Sequence, residues 1–211
     1  MKLNVEKSQY MIFNYTMKHQ FNTRLFINET LLEQVTEKKL LGVLITENLT
    51  WDANTNLITR NAYKRMSILH RLSAFCPPLD ELVKIYILYI RSVVENSAVV
   101  WHSSLTLANE VAIERVQKVA LRIILRDKYE NYENALRLVN LKTLKDRRKD
   151  LCLKFANQCI KNPTMKDMFP LRNSSRTTRI SEKYYVQPAR TDRLRYSAIP
   201  FMQRLLNSQT K

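Results

Sequence analysis

The chain has 211 residues, 45% of them hydrophobic, which is enough for one or two small domains with a real core. Its formal net charge is +16, with three cysteines and one glycine. The odd, irregularly spaced thiols (Cys76, Cys152, Cys159) exclude a disulfide scaffold and point to reduced cysteines in an intracellular compartment, nucleus or cytoplasm; the lone Gly42 excludes glycine-rich phosphate loops and favours helix over tight turns.

No stretch reaches the roughly 18 uninterrupted apolar residues of a membrane span. The longest apolar run, around residues 83–100, is interrupted by Lys84, Arg91 and Glu95. The opening MKLNVEKSQYMIF lacks the basic-then-apolar-then-small pattern of a signal peptide. From Met1 to Asn56 the 6 basic and 6 acidic residues balance, whereas from Leu57 onward 29 basic face 13 acidic residues. The whole surplus therefore lies in the later part. Nucleic acid is the partner this implies, since basic groups gain by releasing the counterions condensed on phosphates; a solvated basic surface or an acidic protein partner would show the same charge, and a membrane partner is not expected.

In chain order, the first 50 residues predict a set of three short antiparallel strands. Ser8 to Phe13 is a short apolar run, Phe21 to Asn28 alternates with a period of two, and Lys39 to Ile45 is apolar but interrupted by Gly42. Glycine inside such a run marks a bulge or the close approach of another backbone. Asn28-Glu29-Thr30 suits a turn. Helix follows from Asp52, a suitable N-cap, with Leu57, Ile58, Ala62, Met66, Leu69 and Leu72 inward and Arg60, Lys64, Arg65 and Arg71 on the other face. Cys76-Pro77-Pro78 ends it. A second helix, apolar nearly all round and so buried, runs from Leu79 or Asp80 to about Ser103.

A third helix starts at Asn109, with Val111, Ile113, Val116, Val119, Ala120, Ile123 and Ile124 inward and Lys118, Arg122 and Arg126 on other faces. Tyr129 to Val139 predicts a short helix. Thr143 to Ile160 predicts a longer one, whose core stripe includes Leu144, Leu151, Leu153, Phe155, Ala156 and Ile160 beside a basic cluster of Lys145, Arg147, Arg148 and Lys149. After Pro163 the chain turns polar and basic, and only Ser197 to Leu206 looks able to dock as a helix. Trp51 and Trp101 adjoin apolar neighbours and read as core, as do Cys152 and Cys159, two turns apart on one face.

No enzyme constellation is complete. His19, His70 and His102 are scattered, no His/Cys set has metal-ligand spacing, and no nucleophile elbow or paired aspartates at a strand–turn site occur. Metal ligands are therefore expected to be absent from the chain.

Four motifs, in order, carry a resemblance. Leu3-Asn4-Val5-Glu6-Lys7-Ser8, followed by an apolar strand ending in Phe13, is similar to the segment after the catalytic Asp-Asp strand of non-LTR (LINE/jockey-like) retrotransposon reverse transcriptases. Lys39-Leu40-Leu41-Gly42-Val43, with Leu49-Thr50-Trp51 after it, resembles that family's primer-grip turn. Ile90 to Trp101 resembles its Arg-Ser…Glu…Trp thumb segment, and Glu114 to Ile124 its Glu-x-apolar-Gln-basic helix. Together they cover about Leu3 to Leu125.

The resemblance implies an α+β, predominantly helical chain, in which a small antiparallel palm-type β piece (1–51) leads into a helical thumb bundle (52–162) and a basic tail (163–211) that is partly ordered at most. It implies the C-terminal fragment of an RNA-directed DNA polymerase that binds RNA/DNA template–primer. The metal-binding aspartates would lie on strands before Met1, so a divalent ion (Mg) is expected only in an intact enzyme and this chain alone is expected to be inactive. The resemblance also implies roles for residues: Lys7 as a proton-donor candidate in an intact enzyme, the backbone of Leu41, Gly42 and Val43 against the primer end, and Arg60, Lys64, Arg65, Arg71, Lys118, Arg122 and Arg126 on phosphate and sugar. The alternative is a stand-alone basic helical module that binds nucleic acid or a protein.

Overall fold

The computed structural model of the chain describes residues 4–14, 23–172 and 183–209. The chain is predominantly helical with a few short strands, and it divides into two compact units, Met1–Leu57 and Ile58–Lys211.

Among the described residues of the first unit there are six strands in chain order: β1 (Gln9–Tyr10), β2 (Phe26–Ile27), β3 (Thr30–Leu31), β4 (Glu33–Gln34), β5 (Glu37–Leu40) and β6 (Val43–Thr46). They form three separate two-stranded ladders. Two are antiparallel, β2–β3 and β5–β6, but β1 pairs with β4 in parallel, so the expected single antiparallel set is corrected. The reason lies in burial: Phe26 and Leu31 are exposed and β5 is exposed throughout, which leaves no apolar face against which longer ladders could grow. Of the strand expected from Phe21, only Phe26–Ile27 is extended into a ladder, and Phe21 itself lies outside the described residues.

Both hairpins close through two-residue turns with positive φ at both positions, Asn28 (47°) and Glu29 (64°) in one, Leu41 (48°) and Gly42 (91°) in the other. This geometry matches the right-handed twist of the flanking strands. Gly42 therefore sits between two strands and not inside one. Beyond it Val43 is buried, and the Leu44 N–H donates to Asn54 Oδ1 at 3.1 Å, tying the hairpin to the first turn of α1 (Asp52–Ser73). Asp52 is the first residue of that helix and lies within the first turn, where its charge suits the positive end of the helix dipole.

In the second unit α1 turns Ile58, Ala62, Met66 and Leu69 inward, while Leu72 stays at the surface. The single long helix expected next is broken. It comprises α2 (Leu79–Ile85), a π-helical turn (Tyr86–Arg91), α3 (Ser92–Val94), a turn at 95–97 and α4 (Ala98–Trp101). The buried residues Leu82, Tyr86, Ile90 and Val94 recur every fourth position. On an α-helix that spacing drifts by about 40° per step, and the wider π turn brings it back into line. The break falls where Ser97 takes a left-handed conformation (φ 51°) and the Trp101 indole N–H donates to the Asn96 carbonyl at 3.0 Å. Burial of this run is incomplete, because Leu88, Tyr89 and Val100 are exposed.

The next three helices start on side-chain caps. Thr106 accepts from the Asn109 N–H and opens α5 (Leu107–Leu125), Asn131 accepts from Asn134 and opens α6 (Tyr132–Leu138), and Thr143 accepts from Asp146 and opens α7 (Leu144–Lys161). Val111, expected inward, is exposed because it falls on the solvent side of α5, opposite Ile113, Val116 and Ala120.

Residues after Pro163 contribute to the core. Beyond α8 (Asp192–Arg195), α9 (Ala198–Gln209) brings Met202 and Leu206 against Cys152, Ala156 and Cys159 of α7, joined by Phe169 and Tyr184. The Asn207 amide bonds both the N–H and the carbonyl of Tyr184 at 2.9 Å, and Gln203 donates to the Met168 carbonyl at 2.9 Å. Aromatic anchors and a polar zipper thus order 163–172 and 183–209; residues 173–182 lie outside the described set.

Candidate nucleic-acid interface

Among the described residues of the second unit, one group of charged side chains is paired into the framework and another faces water. The paired group begins with Glu95, in the turn between α3 and α4. Arg147 of α7 grips it with Nε at 2.5 Å and Nη2 at 3.0 Å, and Arg91 approaches at 3.7 Å. The hydrogen bond to Glu95 holds the Arg147 guanidinium more firmly protonated, while burial works against the charge on Arg91.

A second knot joins α5 to α7. Glu114 accepts from the Tyr132 hydroxyl and from the backbone N–H groups of Leu144 and Lys145, the open donors at the start of α7. One turn on, the buried Gln117 accepts from the Tyr86 hydroxyl at 2.6 Å and donates to the Tyr132 hydroxyl and the Lys142 carbonyl. Burial raises the phenol pKa of both tyrosines above the ordinary value.

A third element was missed by sequence reasoning. Arg148, expected in a basic cluster beside the core stripe, is fully buried; its Nε donates to His102 Nδ1 at 3.2 Å and it lies over the Trp101 ring. The signal was present in the spacing, since Leu144, Arg148, Cys152 and Ala156 recur every fourth residue along the core stripe. Burial, and then the Arg148 charge, lower the His102 pKa to about 4. Burial likewise pushes the Cys152 thiol up to about 11.

The second group lies on α1 and α5. Arg60, Lys64 and Arg71 are exposed at positions i, i+4 and i+11, which places them along one face of α1 with Ser67 between. Among the described residues no carboxylate pairs with any of the three. Arg65 departs from them: its Nη1 donates to the Tyr89 carbonyl at 2.8 Å and its guanidinium stacks over the Tyr89 ring at 4.7 Å, so it braces the π turn. On α5, Arg115, Lys118 and Arg122 form an exposed stripe. Lys118 lies 5.0 Å over Tyr132 and Arg122 5.3 Å over Tyr129, which fixes both cations at the surface without neutralising them. Arg126, just past α5, donates to Cys76 Sγ at 3.4 Å, in the loop that follows α1.

In the first unit Lys7 ends a short 3₁₀ turn (Val5–Lys7) and is exposed; its backbone N–H, not its ammonium, bonds Asn4. Leu41 is 93% exposed at the hairpin tip, Gly42 is half-buried and Val43 is buried.

Among the described residues no three His, Cys, Asp or Glu side chains converge to hold a metal ion. No helix of the described residues is long and apolar enough to cross a membrane. Searches of protein-family models, curated proteins and solved structures found no match to the chain.

Proposed function

We propose that this chain is the thumb-bearing part of a non-LTR retrotransposon-type reverse transcriptase, holding a template–primer duplex by its phosphates. The observation that supports the reading is the division of cations. Arg91, Lys142, Lys145 and Arg147 are spent on carboxylates within the fold, whereas Arg60, Lys64 and Arg71 on α1 and Lys118 and Arg122 on α5 keep their charge at the surface. Contacts from such stripes go to phosphate and sugar and carry no sequence preference. The motifs behind the resemblance fit a framework role: Glu95, Trp101, Glu114 and Gln117 all lie in the internal network. No catalytic step is assigned to this chain.

The test is anisotropy of a labelled RNA–DNA hybrid titrated with the chain at several salt concentrations. Binding whose log K falls steeply and linearly with log salt is expected. Absence of binding, or salt-insensitive binding, overturns the reading. Primer extension by the chain alone should give no product.

A stand-alone protein-interaction module is the second reading. It is favoured by Leu107 and Val111, 76% and 59% exposed, which line an open cleft of about 350 Å³ with Glu110, Lys118 and Lys145. Tight, salt-insensitive capture of a protein would select it.

A further inference from the structure

Phe75 is 83% exposed, the most exposed aromatic ring among the described residues. It is not on a loose loop. Successive backbone bonds, Ala74 N–H to Arg71 O, Phe75 N–H to Leu72 O and Cys76 N–H to Ser73 O, each at 3.1 Å, extend α1 by a tight turn. Cys76 then takes φ 51°, and Pro77-Pro78 fix the exit of the chain. The ring therefore stands on a hydrogen-bonded extension of α1. Two cations belong to the same neighbourhood: Arg71 lies four residues back on α1, and Arg126 donates to Sγ of the adjoining Cys76 at 3.4 Å. The neighbouring carboxylate of Asp80 is engaged by Lys84 at 3.1 Å.

We propose that Phe75 is a stacking platform for an unpaired nucleobase, with Arg71 and Arg126 on the phosphates to either side. An exposed π face with guanidinium groups on neighbouring parts of the fold is the combination that binds single-stranded nucleic acid without regard to sequence, since every base offers a face and every linkage a charge. A duplex, whose bases are already stacked, cannot use the ring except at its end. This assignment rests on the nucleic-acid reading above and sharpens it: the charged stripes serve paired and unpaired strands alike, and Phe75 serves only unpaired bases.

The experiment compares the full chain with Phe75→Leu and Phe75→Trp on a single-stranded oligonucleotide and on an RNA–DNA hybrid of the same length. Phe75→Leu keeps apolar area and removes the π face. It should weaken single-strand binding about tenfold and leave the hybrid within about twofold. Phe75→Trp should keep single-strand affinity and show tryptophan quenching on binding. Equal loss on both ligands, or no loss on the single strand, overturns the platform while leaving the nucleic-acid reading in place, and the second of these would assign the ring to an apolar protein contact. If the unaltered chain binds neither ligand, both readings fall together.

Discussion

The Glu114 carboxylate on α5 accepts the backbone N–H of Leu144 at 3.0 Å, so one helix caps the next from the side. The same carboxylate takes the Lys145 N–H at 3.2 Å and the Tyr132 hydroxyl, while Thr143 covers the N–H of Asp146. Replacing Glu114 with Ala leaves a phenol and two helix-start donors without their acceptor. We expect a loss on the order of 3 kcal/mol in urea unfolding. Glu114→Gln keeps an acceptor but removes the charge at the positive end of α7, and should lose about 1 kcal/mol. Equal losses from the two would mean that the one acceptor oxygen kept by Gln does not hold the joint without its charged partner oxygen.

How much of this was legible in the sequence varied by element. α1, α5 and α7 follow from 3–4 spacing and their inward faces largely match, because a long amphipathic stripe leaves few alternatives. The break at Ser97 was not legible: no Pro or Gly marks it, and it is stabilised by Glu95 reaching Arg147, 52 residues away. Arg148 was hidden by its company, a run of charged residues that reads as a solvated face although its spacing from Leu144 and Cys152 points inward. Phe169 and Tyr184 sit in irregular segments where periodicity carries no information. For the candidate interface, the basic residues of α1 and α5 were visible as charge; which of them would be engaged internally was not, and among the described residues Arg65 and Arg126 are expected contacts that the fold bonds to itself.

His102 makes stability depend on pH. The unfolded imidazole takes up its proton below about pH 6.5, but the buried one, an acceptor from Arg148 with Lys149 and Lys145 also opposing a second charge and Glu110 favouring it, does so only near pH 4. Between these values the unfolded state holds more protons, so stability should fall as pH drops from about 6.5 and level off below about 4, by on the order of 3 kcal/mol in all. His102→Gln keeps an acceptor for Arg148 Nε and cannot titrate. Its urea midpoint should vary less across this window than that of the unaltered chain; parallel curves would show that His102 is not the group responsible.

Leu41 holds a left-handed conformation that a branched L-residue adopts only at a penalty of about 1 kcal/mol. Asn suits the first position of this turn. Leu41→Asn should therefore slow hydrogen exchange of the β5–β6 amides by a few-fold, consistent with a gain of roughly 0.5–1 kcal/mol. If a nucleic-acid end meets this turn through backbone alone, hybrid affinity should stay within about twofold. A large loss of affinity with a slower-exchanging hairpin would mean that the Leu41 side chain itself makes the contact.

The α1 stripe gives the sharpest functional prediction. Arg60, Lys64 and Arg71 lie on one face at helical spacing, with rises of about 6 and 10 Å between successive cations. Those distances are comparable to one and two phosphate steps along a strand, so each cation can serve its own linkage. Changing any one to Ala should remove close to one released counterion, lowering the steepness of log K against log salt by about 0.9 on a duplex, with no change in preference among sequences. Lys84→Ala removes the same formal charge from a residue already engaged by Asp80 at 3.1 Å, and should leave the slope unchanged. If Lys84→Ala lowers the slope as much as Arg60→Ala does, binding reflects net charge alone, and the face of α1 has no special part in it.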